Sequence, residues 1–502
     1  MVQQRSASKA PLMNPEPVAK LHDFIQHCMQ DDTIIDKVEA LRISSELCDL
    51  VSMVRHLSVA AQTTQRDHFL LKSLCFGNIR TRQRKIEKAH VNTFSWIFNS
   101  STPNRTQRPI RFRDWLSTEN GVFWIQGKPG SGKSTLIKFI SSAKETCFYL
   151  TPWAREKRLL QKSQEGLLRS VLYKILRQTP ELIPVAREAI ACSEDGGEMD
   201  SGSWSLEILL RMYESVVTQT ALPVKFCFFI DGLDEFQDEN RSHTDLLKTL
   251  RDMKHSEDIK LCVSSRPWFV FSDKFSGNPD WVLKLEDLTR GDISRYVTDK
   301  LNKHPQFSTL SRLNPAYREF IASVVTKAQG VFLWVYLVVR NLLEGLTYHD
   351  SVRTLRMRLE AFPPDLKTFF QHLINSVPSI YRLQLARSFH ITVAAGEPVP
   401  AMFYSFLDNV GEEPQFATRL AKVPLSKDEL MLRLERLRRR LDGRSRGLLE
   451  VVGFDSTVDP DTEGLDKTLF LSTTVDFLHR TVRDFIHDSK LGPTSGGVGA
   501  SH

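Results

Sequence analysis

The chain contains no apolar run long enough to cross a membrane as a helix. Its most apolar stretch, VFLWVYLVV (Val331 to Val339), ends at Arg340, well short of the ~20 residues a span requires, and reads as a buried helix. Cysteine is scarce. The seven present (Cys28, Cys48, Cys75, Cys147, Cys192, Cys227 and Cys262) are widely spaced, without a CxxC pair or a His partner at zinc-finger spacing. That excludes a disulfide framework and a zinc finger, and it fits reduced thiols in a cytoplasmic protein. The N-terminal MVQQRSASKAPLMNPEP has no apolar h-region, so it does not read as a secretory signal. No repeat of fixed period occurs, and no NKxD-type motif that would read a guanine base. Charge is nearly balanced: the net +7 over 502 residues comes from scattered runs such as RTRQRKIEK (Arg80 to Lys88) and RLERLRRRLDGRSR (Arg433 to Arg446). These read as solvated helix faces, and no nucleic-acid partner is inferred from them.

What is there is an ordinary globular composition, 41% hydrophobic and 25% charged, in a chain long enough for three or four folding units. Residues 1–20, with Pro11, Pro15 and Pro17, are expected to be disordered, as is the Gly/Ser tail at 489–502. Residues 21–90 carry apolar positions at near-helical spacing (Leu41, Ile43, Leu47, Leu50, Val51, Val54, Leu57) and predict a helical region. From about 91 to 290 the pattern alternates between short apolar runs and helical stretches. VFWIQ (Val122 to Gln126), TCFYL (Thr146 to Leu150), VKFCFFI (Val224 to Ile230), IKLCVSS (Ile259 to Ser265) and WVLKLEDL (Trp281 to Leu288) read as strands. Strands buried on both faces with helices between them predict an α/β fold with a parallel sheet. Helices dominate 291–375, and a mixed segment follows over 376–488. SEDGGEMDSGS (Ser193 to Ser203) reads as a surface loop.

WIQGKPGSGKST (Trp124 to Thr135) carries the most specific signal: Gly127, Gly132, Lys133 and Ser134 match G-x-x-x-x-G-K-[ST] between a predicted strand and a predicted helix. The backbone N–H groups of Gly127, Lys128, Pro129 to Ser131 and Gly132, with Thr135 behind them, would cradle phosphates, proline apart, since it has no N–H to offer; Gly130 lies within this loop. Lys133 would reach the β and γ phosphates, and the Ser134 hydroxyl would ligate Mg²⁺. KFCFFIDGLDEF (Lys225 to Phe236) then places Asp231 at the C-terminal end of an apolar strand, where it would hold the Mg²⁺ through water. The next residue is Gly232 rather than a second acid, so Asp234 or Glu235 would have to orient an attacking water. Arg266, at the end of KLCVSSRP, is placed either to read a γ-phosphate or to form a surface salt bridge. The aromatic residues Phe94 and Trp96 read as packing rather than as a base-recognition pair, as do Phe332, Leu333, Trp334, Leu337 and Val338.

GKPGSGKST, FFIDGLDEF and KLCVSSRPW, in this order and spacing, resemble the NACHT module of STAND-class P-loop NTPases, most closely fungal proteins with a nephrocystin-like NTPase core. AHVNTFSWIF (Ala89 to Phe98), QKSQEGLLRSVLYKIL (Gln161 to Leu176), LEDLTRGDISRYV (Leu285 to Val297), AQGVFLWVYLVVRNLLEGL (Ala328 to Leu346) and VDFLHRTVRDFI (Val475 to Ile486) extend the likeness over roughly residues 74–488. The resemblance implies a P-loop domain at 91–290, a helical lid at 291–375 and a winged-helix-like region at 376–488, with ATP or ADP and Mg²⁺ as ligands. It also implies that His479, in FLHRTVRDF, contacts the ADP β-phosphate; a packed or capping histidine is the alternative. An ADP-held closed form and an ATP-favoured open form would then make the chain a signalling switch, with self-association or an unknown protein partner on opening. Two other functions stay open, a turnover ATPase and a non-hydrolysing scaffold. Many members of the family carry sensor repeats after the NTPase, and none is present in this sequence.

Overall fold

Five parallel strands form the sheet that positions the phosphate loop: β1 (Val122–Gln126), β2 (Phe148–Leu150), β3 (Phe226–Ile230), β4 (Ile259–Ser265) and β5 (Val282–Lys284), in the order β2-β3-β4-β1-β5. The computed structural model describes residues 61–75, 88–98, 110–117, 121–142, 148–150, 163–191, 204–236, 241–254, 258–396, 398–413, 415–419, 426–453 and 473–489, together with Ser52, Ile86 and Asp238. The expected loop at 193–203, both tails and most of the expected N-terminal helical region lie outside the described residues. Met1–Leu74 and Cys75–His502 form separate units; within the first, residues 61–74 are helical, with Leu70 and Leu74 buried.

The inner strands are apolar because both of their faces are covered. β1, β3 and β4 are buried at almost every position, as sheets sandwiched between helices require. Helices α1 (Lys133–Ser142), α2 (Gln164–Gln178), α3 (Leu206–Thr218) and α4 (His243–Asp252) connect and flank them. The fifth strand is shorter than the run WVLKLEDL predicts. It pairs with β1 only over Val282–Lys284, and Leu285–Leu288 turn into a short helix. Leu285 and Leu288 are both buried, and their three-residue spacing suits one helical face rather than the alternation of a strand.

Beyond the sheet come α5 (Arg290–Asn302), α6 (Pro305–Leu313), α7 (Ala316–Ala328), α8 (Phe332–Thr347), α9 (Val352–Ala361) and α10 (Leu366–Asn375). The apolar run expected to be a buried helix is the core of α8, where Leu333, Trp334, Val335, Leu337, Val338 and Val339 are all buried. The last region builds a three-stranded antiparallel sheet, β6-β8-β7, from β6 (Val399–Pro400), β7 (Leu449–Val452) and β8 (Thr474–Phe477). Around it lie α11 (Ser379–Ala395), α12 (Ala401–Ser405), α13 (Lys427–Ser445) and, directly after the central strand, α14 (Arg480–Asp488). This is a winged-helix-like arrangement of helices and a small sheet. Ser426 and Glu429 form a reciprocal capping box at the start of α13. Several arginines of that basic helix meet acids: Arg439 pairs with Glu435, Arg440 and Arg444 with Asp408.

One apolar cluster runs continuously from Ile293 through the six-helix region to Ile486 in α14. A separate cluster, built from Phe94, Trp96, Phe112, Trp115 and the strand residues Phe123, Ile125 and Phe229, lies under the sheet. Phe332 packs against both.

Candidate functional site

The phosphate loop begins where β1 ends. Gly127 N–H donates to Ser265 O at 3.3 Å, tying the loop to β4, and Leu136 N–H donates back to Gly132 O at 2.9 Å as α1 starts. Gly130 sits at φ +72°, and a Cβ there would lie 2.7 Å from the Leu333 side chain. Only glycine permits this close approach, and through it α8 reaches the loop: Leu333 N–H donates to Gly130 O at 3.0 Å. Lys133 Nζ donates to Gly127 O at 2.7 Å and Lys128 O at 3.0 Å. Burial pushes its pKa down to about 8, against the pull of Asp234 and Asp231.

Asp231 follows the last residue of β3. The pairing Ile230↔Val263 puts it level with Ser264 on β4, and β4 lies between β3 and the strand that carries the loop. Ser264 Oγ donates to Asp231 Oδ1 at 2.6 Å and accepts from Gly232 N–H at 2.9 Å. One buried hydroxyl thus orients the carboxylate and anchors the turn behind it. Asp231 and Ser134 line the same cavity, and a carboxylate plus a hydroxyl are the hard oxygen donors Mg²⁺ takes alongside phosphate and water. Among the described residues there is no cluster of three or more His, Cys, Asp or Glu that would hold a metal ion by itself. These residues fit a cation shared with a phosphate chain.

Asp234 and Glu235 stand at the same end of the sheet, in contact with arginines. Asp234 Oδ1 accepts Arg266 N–H at 3.1 Å; its Oδ2 lies 3.0 Å from Arg266 Nε and 2.5 Å from Arg480 Nη2. Arg480 Nη1 reaches Glu235 Oε1 at 2.9 Å, and Arg266 Nη2 reaches Asp484 at 3.3 Å. Burial alone would raise the Asp234 pKa. The Arg480 guanidinium, followed by Lys133 and Arg266, outweighs burial and holds the carboxyl below its ordinary value. Arg480 and Asp484 both belong to α14, so this network joins the sheet to the winged-helix-like region.

His479 caps α14. Its Nδ1 accepts Thr481 N–H at 3.1 Å and lies 2.9 Å from Thr481 Oγ1, while the residue also lines the cavity. Arg266, directly after β4, meets the buried Asp234 side chain and the exposed Asp484. Residues 129–135, Asp231, Asp234, Glu235 and His479 are brought to one cavity of about 690 Å³, a size that suits a nucleotide.

The opposite wall is made by the segment before the sheet and by α5. Asp292 Oδ2 accepts Phe94 N–H at 3.1 Å and Trp96 Nε1–H at 2.7 Å, and Arg295 meets its Oδ1 at 3.2 Å. Burial raises the Asp292 pKa in spite of these donors. His90 Nε2 contacts Asp299 at 2.9 Å and packs edge-on against Tyr296. Phe94 and Trp96 are buried in the core under the sheet; Phe94 also walls the cavity, with His90, Tyr296, Lys300 and Phe332. Ser264, Arg480, Asp484 and, in this wall, His90, Tyr296 and Lys300 were not singled out from sequence, and Phe94 and Phe332 were read there as packing. Arg480 directly follows His479 in FLHRTVRDF, so the signal was adjacent, but only the fold pairs it with residues almost 250 positions earlier.

Sheet order, phosphate loop and strand-end acid together define an α/β P-loop NTPase fold. Residues 92–266 match the family model "Nephrocystin 3, N-terminal", and residues 370–492 match "Domain of unknown function (DUF7791)". No curated protein matches the chain. Among solved structures, Cdc6p from Pyrobaculum aerophilum is similar over 79% of this chain and 97% of its own, at 12% identity and TM-score 0.31. A Walker-type ATPase of Pyrococcus abyssi is similar over 78% of this chain and 99% of its own, at 13% identity and TM-score 0.31. Drosophila ORC, solved bound to DNA, is similar over 76% of this chain and 93% of its own, at 15% identity and TM-score 0.31.

Proposed function

We propose that the chain is an ATP/ADP-dependent signalling switch of the NACHT/STAND type. Gly127 to Thr135 hold the phosphates, Lys133 binds the β and γ oxygens, and Ser134 and Asp231 hold Mg²⁺. The observation that carries this reading is the composition of the cavity. Its walls come from the phosphate loop, from α5 and α8, and from the start of α14, so a nucleotide there touches every part that would have to move. ADP and ATP can shift such an equilibrium only by binding its two forms unequally, and the arginines and His479 near the phosphate end are the groups that would tell them apart. Non-self recognition or cell-death signalling in a fungal cytoplasm, with self-association or a protein partner on opening, is the family role this reading carries with it.

The test is to identify the nucleotide that co-purifies and to size the protein with ADP and with a non-hydrolysable ATP analogue. A change in size or shape between the two is expected. Lys133→Ala should abolish binding of both nucleotides while the melting profile persists; unchanged ATP affinity in that variant would refute the phosphate-loop assignment. Sustained turnover on the order of 1 s⁻¹ or faster without an activator would favour a work-performing ATPase instead. Failure of the wild type to bind either nucleotide would leave only a scaffold.

A further inference from the structure

The five-residue network of Asp234, Glu235, Arg266, Arg480 and Asp484 at the end of β3 does more than join two regions. Asp234 and Glu235 are the carboxylates that follow Asp231 in the chain and line the cavity with it, Glu450 of β7 lining it as well, and hydrolysis on this reading needs Asp234 or Glu235 to orient water. Both are engaged by one guanidinium: Arg480 holds Asp234 through Nη2 and Glu235 through Nη1. A planar guanidinium bridging two carboxylates fixes direction as well as charge. A carboxylate whose lone pairs are held by arginine is a poor acceptor for a proton from water.

The local backbone is shaped to permit this contact. Gly232 lies at φ +78°, and a Cβ there would fall 2.7 Å from Glu235 Oε1. Glycine in place of a second acid therefore gives the Glu235 carboxylate the room it uses to meet Arg480. Arg266 completes the arrangement from the sheet side, contacting Asp234 with Nε and Asp484 of α14 with Nη2. Three acids, Asp234, Glu235 and Asp484, thus face Arg266, Arg480 and the Lys133 ammonium. Both arginines are 23% exposed and Asp234 is 1% exposed, so water screens this balance only partly.

We propose that Arg480 is a lock carried in cis: it occupies Asp234 and Glu235 while α14 sits against the sheet, so that nucleotide release and hydrolysis both wait on the departure of α14. The inference rests on the switch reading and names the regulation of the same site. A nucleoside triphosphate adds negative charge among these cations and competes with Asp234 and Glu235 for them. A diphosphate adds less and leaves the lock in place. Arg480 is a positioning residue in this scheme, acting through the acids.

The experiment uses the full chain loaded with a fluorescent ADP analogue and compares wild type, Arg480→Ala, Arg480→Lys and Asp484→Asn. Release of the analogue and single-turnover hydrolysis of ATP are both measured. Arg480→Ala should speed both by about tenfold, within the span of measured coupling between sites, and Arg480→Lys should fall between it and wild type. Asp484→Asn, which removes only the outer contact of Arg266, should speed release about threefold, the scale of an exposed ion pair, and serves as the second variant if Arg480→Ala does not fold. Unchanged rates in the folded variants overturn the lock while the switch reading stands. Slower hydrolysis in Arg480→Ala also overturns it, because Arg480 would then be acting on the phosphate. Absence of nucleotide binding in wild type overturns the lock and the switch reading together.

Discussion

Ser264 has no room for error, because a single hydroxyl serves Asp231 on one side and Gly232 N–H on the other. Removing it leaves a buried carboxylate oxygen and a buried amide short of a partner, a loss of about 1–3 kcal/mol. Ser264→Ala should therefore lower stability by about that amount and raise the Mg²⁺ concentration needed for half-maximal ATP binding. A titration with Mg²⁺ showing an unchanged midpoint would place the alignment of Asp231 elsewhere. The loop from Gly127 to Ser134 and the acid Asp231 were readable in sequence because each is a local signal: a fixed spacing, or an acid after an apolar strand. Ser264 was not, because its role depends on β4 lying between β1 and β3. Arg266 and His479 show the same limit. Sequence located them at the right end of the molecule, but only geometry pairs Arg266 with Asp234 and Asp484 and turns the His479 ring onto Thr481.

Among the elements, α10 connects the phosphate loop to the last helix. Its first residue, Leu366, approaches Gly130, with Cδ1 3.5 Å from where a Cβ would stand. One turn on, Phe370 meets Phe485 of α14 with ring centroids 5.7 Å apart. The helix starts at Asp365, whose Oδ2 accepts Thr368 N–H and Thr368 Oγ1–H, both at 2.9 Å. The Thr368 amide above all holds the Asp365 pKa below its ordinary value, with burial opposing. A depressed carboxyl stabilises the fold above the unfolded pKa, about 3.9, and that contribution is lost as pH falls through the lower folded value. Asp365→Ala should cost about 1 kcal/mol near neutrality, and its gap from wild type in denaturant melts should narrow as pH drops from about 5 towards 3. A gap independent of pH would show that the cap works through something other than the ionised carboxylate. Element types such as α8 were legible from long apolar periodicity. The boundary after β5 was not, since WVLKLEDL is apolar enough for either state, and burial at Leu285 and Leu288 decided it.

For the whole molecule, the arrangement of cores dictates where opening occurs. The helices from α5 to α10 and the winged-helix-like region share one apolar cluster, while the sheet and its lead-in segment have another. Separating parts within either cluster would expose apolar surface at about 25 cal/mol per Å². The boundary near the phosphates is bridged on its apolar side by Phe332 against Phe94 and on its polar side by charges, Asp234 and Glu235 against Arg480 and Arg266 against Asp484. Glu235 and Arg480 are partly exposed, and Asp484 is 51% exposed, so mobile ions can reach this boundary as they cannot reach a core. Opening should therefore move the helical and winged-helix-like regions together, away from the sheet, and salt should promote it. The Debye length shrinks from ~10 Å at about 0.1 M to ~3 Å at about 1 M. Over that range ADP release from wild type should accelerate, whereas release from Arg480→Ala, already without the central contact, should respond much less. An equal salt response in the two proteins would mean that ions act on the phosphates themselves, and that the charged boundary does not control opening.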